Sequence, residues 1–89
     1  GMILSNEPGY YEKNKFGIRI ENLIYIKKIK NKKKFENLTL APIDRDLIDF
    51  KILNKKEKNY LKEYNKKIYS EIGPYLKDEI KVWLKSQIN

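Results

Sequence analysis

Two short stretches near the start of the chain set its architecture, Asn6-Glu7-Pro8-Gly9-Tyr10-Tyr11 and Gly17-Ile18-Arg19-Ile20-Glu21-Asn22. They place two carboxylates, Glu7 and Glu21, on what read as neighbouring strands. A hard divalent cation prefers oxygen ligands, and two metal ions about 3.5–4 Å apart need at least one carboxylate that can bridge them. Glu7 and Glu21 are therefore candidate metal ligands, although two glutamates cannot hold a pair of metals alone.

The residues around these stretches follow the pattern of strands. Residues 2–6 predict a short strand that ends at Pro8-Gly9, and residues 10–15 predict a polar loop. Residues 16–29 predict the longest strand, in which Arg19 and Glu21 share one face. The opposite face carries Ile18, Ile20, Ile24 and Ile26 and is interrupted by Asn22. The lysine-rich residues 27–34 predict a hairpin turn, and the chain returns through residues 35–40 as a partner strand.

The second half of the chain predicts two helices after an irregular link over residues 44–53. Four apolar side chains should anchor the link to the core: Ile43, Leu47, Ile48 and Phe50. Asn54 and Glu57 have the spacing of a helix N-cap and its capping-box partner, and this helix should end at Gly73. Its apolar residues at helical spacing are Tyr60, Leu61, Tyr64, Ile68 and Ile72.

Pro74 suits the first turn of a second helix, where a missing N–H costs little. The stripe predicted to be buried on that helix consists of Leu76, Ile80, Trp83, Leu84 and Ile88. The aromatic residues of both helices could alternatively form a binding surface, but their helical spacing favours a core.

The composition restricts the kind of protein further. A chain of 89 residues allows one small domain of marginal stability. The absence of cysteine excludes disulfides and thiolate metal sites. Without a signal peptide or an apolar run long enough for a bilayer, a cytoplasmic protein with no membrane partner is expected.

The net charge of +8 makes nucleic acid a candidate partner, since clustered lysines that bind phosphates release their counterions. Six of the twenty basic residues fall between Lys27 and Lys34, but lysines pervade the whole chain and acidic residues interleave with them in both helices. A charge run of this kind is usually a solvated turn, so no nucleic-acid partner is expected. A small basic nucleic-acid-binding protein remains the outside alternative.

The order and spacing of these motifs resemble the C-terminal part of the catalytic domain in the M24 "pita-bread" metallopeptidases, most closely the Xaa-Pro aminopeptidases. The similarity continues through Leu38-Thr39-Leu40-Ala41-Pro42-Ile43-Asp44, and Val82-Trp83-Leu84 resembles the helical extension of the cytosolic type. It implies an α+β fragment of the pita-bread fold, with antiparallel strands and a hairpin followed by two C-terminal helices. Residues 1–50 would be the last strands of the catalytic domain, and residues 51–89 the helical extension.

The resemblance also implies an activity, the release of the N-terminal residue from peptides with proline in second position. The cofactor would be two divalent metal ions, with manganese expected. Glu7 would be a metal ligand that also acts as general acid/base, and Glu21 would bridge both metals. Arg19 would lie beside the active site and orient its acidic groups, and Tyr11 would lie near the site and help relay protons or hold the arginine. The plainer interpretations are a strand-end carboxylate for Glu7 and a solvent-facing ion pair between Glu21 and Arg19.

Similar enzymes take their other ligands, two aspartates and a histidine, from an upstream part of the catalytic domain, and this sequence contains no histidine. The chain alone is therefore expected to be inactive and to bind metal weakly or not at all. The expected partners are that upstream part, a second subunit in a homodimer, and peptides with a penultimate proline. A prolidase that cleaves Xaa-Pro dipeptides and an inactive M24-fold binding module stay open as alternatives.

Overall fold

The computed structural model describes residues 1–88, which form two compact units: Gly1–Thr39, and a second that begins at Leu40. All five strands lie in the first unit and both α-helices lie in the second. The predicted α+β class, with antiparallel strands followed by two C-terminal helices, is thereby confirmed. The predicted division at residue 50 refers to domains of the enzyme family and stays a prediction.

The first unit contains two antiparallel sheets. β1 (Ile3–Asn6) pairs with β4 (Asn22–Ile29), and β4 pairs with β5 (Lys32–Asn37), which gives a three-stranded sheet in the order β1-β4-β5. β2 (Gly9–Glu12) and β3 (Phe16–Arg19) form a separate two-stranded sheet.

The two sheets keep one continuous register. Asn6 pairs with Asn22 in the first sheet and Gly9 with Arg19 in the second. Glu7 and Pro8 lie between them on one side, and Ile20 and Glu21 on the other. The Ile20 amide donates to the Pro8 carbonyl oxygen over 3.1 Å, so no residue is gained or lost across the break. This register places Glu7 opposite Glu21.

Two of the predicted strand boundaries are wrong. Residues 10–12 belong to β2 rather than to a loop, because they pair with β3 and the turn is confined to the residues between the two strands. Asn14 in that turn has a positive φ of 61°. The predicted long strand over residues 16–29 is divided at Ile20 and Glu21, opposite Pro8, which has no N–H to offer to a ladder.

The lysine-rich hairpin turn is shorter than predicted. Only Lys30 and Asn31 lie between β4 and β5, and Lys30 adopts a φ of 55°. The other lysines of the run lie in the strands, where Lys27 pairs with Lys34 and Lys28 with Lys33. Like charges therefore face each other across the β4–β5 hairpin.

The second unit contains a 3-10 turn at Arg45–Leu47 and the helices α1 (Lys55–Ile72) and α2 (Asp78–Ile88). The predicted capping box is confirmed: Asn54 Oδ1 accepts from the Glu57 amide at 2.8 Å, and Glu57 Oε2 accepts from the Asn54 amide at 2.9 Å. Such a cap contributes about 1 kcal/mol to helix stability. Pro74 does not begin α2 as predicted. It lies in a separate 3-10 turn, Gly73–Tyr75.

A small core holds the second unit together. Its buried members are Tyr64 and Ile68 of α1 and Leu84 of α2. The partly buried side chains packed against them are Leu40, Ile43, Ile72, Leu76 and Ile88. The Tyr64 hydroxyl donates to the Ala41 carbonyl oxygen over 2.7 Å, which ties the start of the unit to the middle of α1.

Several side chains predicted to be buried are exposed. Trp83 is 59% and Ile80 42% exposed, because one helix pair buries only a narrow strip of α2, and that strip runs through Leu84. In the link, Ile43 packs on the core as predicted, but Leu47 and Phe50 are 79% and 45% exposed. Among the described residues, no helix has the length and apolar character that crossing a bilayer requires.

Candidate active site

The strands β1 and β2 pair with β4 and β3 in one continuous register, and we call these paired strands the ribbon. All four predicted site residues lie on one face of it. Side chains alternate between the two faces of a strand, and residues paired across an antiparallel ladder share a face. Gly9 pairs with Arg19 and Tyr11 with Gly17, and the continuous register extends this face to Glu7 and Glu21. Because these residues all carry odd numbers, we call this the odd face of the ribbon.

Arg19 contacts both glutamates. Its Nη1 lies 3.7 Å from Glu7 Oε1, and its Nε lies 3.9 Å from Glu21 Oε2. The three side chains are between about two-fifths and half exposed, so these ion pairs add little to the free energy of folding. Their role is geometric, because one planar guanidinium lies beside both carboxylates.

Ser5 is a further member of the odd face that the sequence analysis missed. Its hydroxyl donates to Glu7 Oε2 over 2.5 Å. The signal was available, since Ser5 precedes Glu7 by two residues in a predicted strand and such residues share a face. Both carboxylate oxygens of Glu7 are therefore contacted by side chains of the same unit.

Tyr11 lies across two glycines of the odd face. A Cβ atom built on Gly17 would lie 2.5 Å from Tyr11 Cδ1, and one built on Gly9 would lie 2.6 Å from the Tyr11 hydroxyl oxygen. The ring therefore starts over Gly17, and its hydroxyl ends over Gly9, the residue that pairs with Arg19. Any larger residue at Gly9 or Gly17 would displace the ring from this position.

Tyr10 points to the opposite face, as the alternation of an extended chain predicts. Its ring lies 6.1 Å from that of Phe16, and its hydroxyl donates to Glu12 over 2.9 Å. Tyr10 therefore contacts Phe16 and Glu12 on the opposite face and is not part of the odd face.

The donor set of the odd face fits part of a metal centre. Two carboxylates supply the oxygen atoms that hard divalent cations prefer. Within residues 1–88, however, no group of three or more His, Cys, Asp or Glu side chains is placed to hold an ion. The odd face therefore offers two candidate ligands, Glu7 and Glu21.

Two family models together match nearly the whole chain. Residues 1–28, which include both glutamates, match the model of metallopeptidase family M24, and residues 33–89 match the C-terminal region of peptidase M24. A probable Xaa-Pro aminopeptidase P from Botryotinia fuckeliana is 45% identical over 98 residues, covering 99% of this chain and 15% of the relative. Another from Fusarium vanettenii is 44% identical over 97 residues, covering 98% of this chain and 16% of the relative.

A solved structure is also similar. The X-prolyl aminopeptidase from Caenorhabditis elegans, described as a cytosolic enzyme with a di-nuclear active site, superposes with a TM-score of 0.83. It is 33% identical to this chain, and the match covers 98% of this chain and 16% of the nematode protein. The chain thus spans about a sixth of the length of the proteins it matches. The predicted resemblance to the C-terminal part of these enzymes is confirmed, and the chain belongs to the M24 metallopeptidase family.

Proposed function

We propose that this chain is the C-terminal part of a dinuclear-metal Xaa-Pro aminopeptidase, which removes the N-terminal residue from peptides with proline in second position. One observation carries the proposal: Glu7 and Glu21 lie together on the odd face, and Arg19 contacts both. The similarity to Xaa-Pro aminopeptidases over 98–99% of the chain supports the choice of substrate.

Glu7 and Glu21 are the residues that would hold the metals. When bound, two divalent ions, manganese by expectation, would lower the pKa of a water molecule and polarise the carbonyl of the peptide bond that precedes proline. The description of the nematode enzyme as di-nuclear supports two ions rather than one.

The protein side chains have separate tasks in this proposal. Glu7 accepts a proton from the attacking water at a carboxylate oxygen and returns it to the leaving amine. This role requires the carboxylate to lie within hydrogen-bond reach of the reacting group. Arg19 offsets the charge of the two carboxylates and fixes their separation. The Tyr11 hydroxyl lies over Gly9 on the odd face. There it can donate a hydrogen bond to a bound peptide or pass on a proton.

The first unit also bears the surface of an incomplete domain. None of its described residues is fully buried, and many large apolar side chains are exposed. Those on the face opposite to the odd face include Met2, Leu4, Phe16, Ile18 and Ile20. We infer that an upstream part of the same enzyme covers this face and supplies the missing aspartate and histidine ligands.

The 89 residues alone are then expected to hydrolyse no peptide and to bind Mn²⁺ weakly. Incubation of the isolated chain with Mn²⁺ and an Xaa-Pro-Xaa tripeptide, together with titration calorimetry, checks both statements. Turnover by the isolated chain would contradict the proposed division of the ligands. In cells, we place the enzyme in the cytoplasm as a homodimer with neither nucleic acid nor membrane as partner; the cytosolic nematode enzyme supports the compartment.

The activity itself is tested with the full-length polypeptide that carries this chain. With Mn²⁺ supplied, it should release the first residue of an Xaa-Pro-Xaa tripeptide, and its kcat/KM should be higher for the tripeptide than for the Xaa-Pro dipeptide. A preference for the dipeptide would identify a prolidase instead. Failure on both substrates would leave the M24 fold as a binding module.

A further inference from the structure

Ser5 holds one oxygen of Glu7. Its hydroxyl donates to Glu7 Oε2 over 2.5 Å, whereas the second oxygen, Oε1, faces Arg19 at the longer distance of 3.7 Å. We infer that Ser5 is a positioning residue: its hydroxyl fixes the orientation of the Glu7 carboxylate before a metal ion arrives. This inference rests on the proposed role of Glu7 as a metal ligand.

The local backbone places Ser5 and Glu7 so that their side chains can meet. Ser5 is fixed in β1 by its pairing with Leu23, and Glu7 continues on the same face two residues later. Pro8 follows Glu7, and a residue before proline is restricted to extended backbone conformations. The backbone at Glu7 is therefore restricted from both sides, and the Ser5 hydroxyl binds the carboxylate that extends from it.

Glu21 has no such partner among the residues that the structure describes. The residue two positions beyond it on the same face is Leu23, which cannot donate a hydrogen bond from its side chain. The contact of Glu21 with Arg19 is an ion pair at 3.9 Å. Removal of the Ser5 hydroxyl should therefore affect the ligand Glu7 and leave Glu21 as it is.

Positioning of this kind has a known size. A flexible glutamate that is already held in one orientation loses less side-chain freedom when it binds. Hydrogen-bond partners of metal ligands typically contribute about 10- to 100-fold to metal affinity or activity. A single neutral hydroxyl on an exposed carboxylate should lie at the lower end, so we expect about a tenfold effect.

The test uses the full-length polypeptide with Ser5→Ala, Ser5→Thr and Ser5→Val. Threonine keeps the hydroxyl, and valine replaces it with a methyl group of similar size on an equally strand-compatible side chain. Ser70→Ala is the matched control, because it removes the serine hydroxyl on α1 that donates to the Lys67 carbonyl oxygen, away from Glu7. The measurements are Mn²⁺ affinity of the metal-free protein by calorimetry, its thermal unfolding midpoint, and kcat/KM.

We expect Mn²⁺ affinity to fall about tenfold in Ser5→Ala and Ser5→Val and to stay near the original value in Ser5→Thr and Ser70→Ala. Equal affinities in the threonine and valine variants would overturn the inference, and this comparison remains available if Ser5→Ala fails to fold. Loss of affinity in Ser5→Val without any peptidase activity in the original protein would leave the positioning role intact and remove the proposed function. Unchanged Mn²⁺ affinity in Ser5→Val, with peptidase activity in the original protein, would overturn the positioning role and leave the proposed function intact.

Discussion

Arg19 Nη1 lies 3.7 Å from Glu7 Oε1, across the break between the two sheets of the ribbon. The two residues are brought together by one continuous register, which passes through the Ile20 to Pro8 hydrogen bond. Because both side chains are partly exposed, the pair contributes little to stability. Its effect is to hold a guanidinium within reach of both candidate ligands.

We predict that Arg19→Lys lowers kcat/KM of the full-length enzyme by about tenfold or more, because the point charge of a lysine cannot contact two carboxylates as a planar fork does. The free energy of unfolding should change by less than about 0.5 kcal/mol, as for other exposed substitutions. Arg45→Lys, at an exposed position of the 3-10 turn, is the control. Full activity of Arg19→Lys would show that charge alone is needed and that the fork geometry is not.

The packing of the Tyr11 ring over Gly9 and Gly17 gives a second prediction. Gly17→Ala would place a methyl group 2.5 Å from Tyr11 Cδ1 and push the exposed ring off the strands. We expect lower kcat/KM with little loss of stability, since alanine suits a strand backbone at least as well as glycine. The kinetics of Gly17→Ala, Tyr11→Ala and the double variant check this.

In the Tyr11→Ala background, Gly17→Ala should cause no further loss, because the ring it displaces is already absent. Gly1→Ala serves as the control, since no atom of the described residues lies within 4 Å of the added carbon. Additive losses in the double variant would mean that Gly17 acts by some route other than the position of Tyr11.

Much of this arrangement could be predicted from the sequence because it depends on local rules. The side-chain alternation of residues 16–29 separates Arg19 and Glu21 from the isoleucines, and it survives the division of that strand. The capping box of Asn54 and Glu57 is equally local, since both partners lie within one helical turn.

The remaining features depend on pairing across the chain. That residues 10–12 form a strand is decided by their pairing with β3, and Pro8 divides the longer strand only because it lies opposite Ile20. Trp83 fits a helical stripe as well as Leu84 does, but with a single neighbouring helix only one strip can be covered. Periodicity marks the apolar residues of a helix without saying how wide its partner surface is.

The lysine pairs of the β4–β5 hairpin give a third prediction. Lys28 and Lys33 pair directly across the strands, where like charges destabilise the ladder. Lys33→Glu should stabilise the hairpin by about 0.2–1 kcal/mol, which slows amide exchange in β4 and β5 up to about fivefold. Hydrogen–deuterium exchange of the full-length protein at low and high salt measures this, and the gain should shrink at high salt.

Lys13→Glu in the β2–β3 turn is the matched control, because it changes the net charge equally without touching a lysine pair. If it slows exchange in β4 and β5 as much as Lys33→Glu does, the effect belongs to the change in net charge and not to the cross-strand pairs.

The proposed assignment of Glu7 and Glu21 as metal ligands is tested in the full-length polypeptide. Glu7→Gln and Glu21→Gln keep the size of each side chain and remove its charge, and Glu12→Gln makes the same change on the opposite face of the ribbon. Mn²⁺-dependent hydrolysis of an Xaa-Pro-Xaa tripeptide should fall about 100-fold or more in the first two variants, with weaker Mn²⁺ binding, and should persist in the third. Undiminished hydrolysis in Glu7→Gln or Glu21→Gln would contradict their assignment as metal ligands.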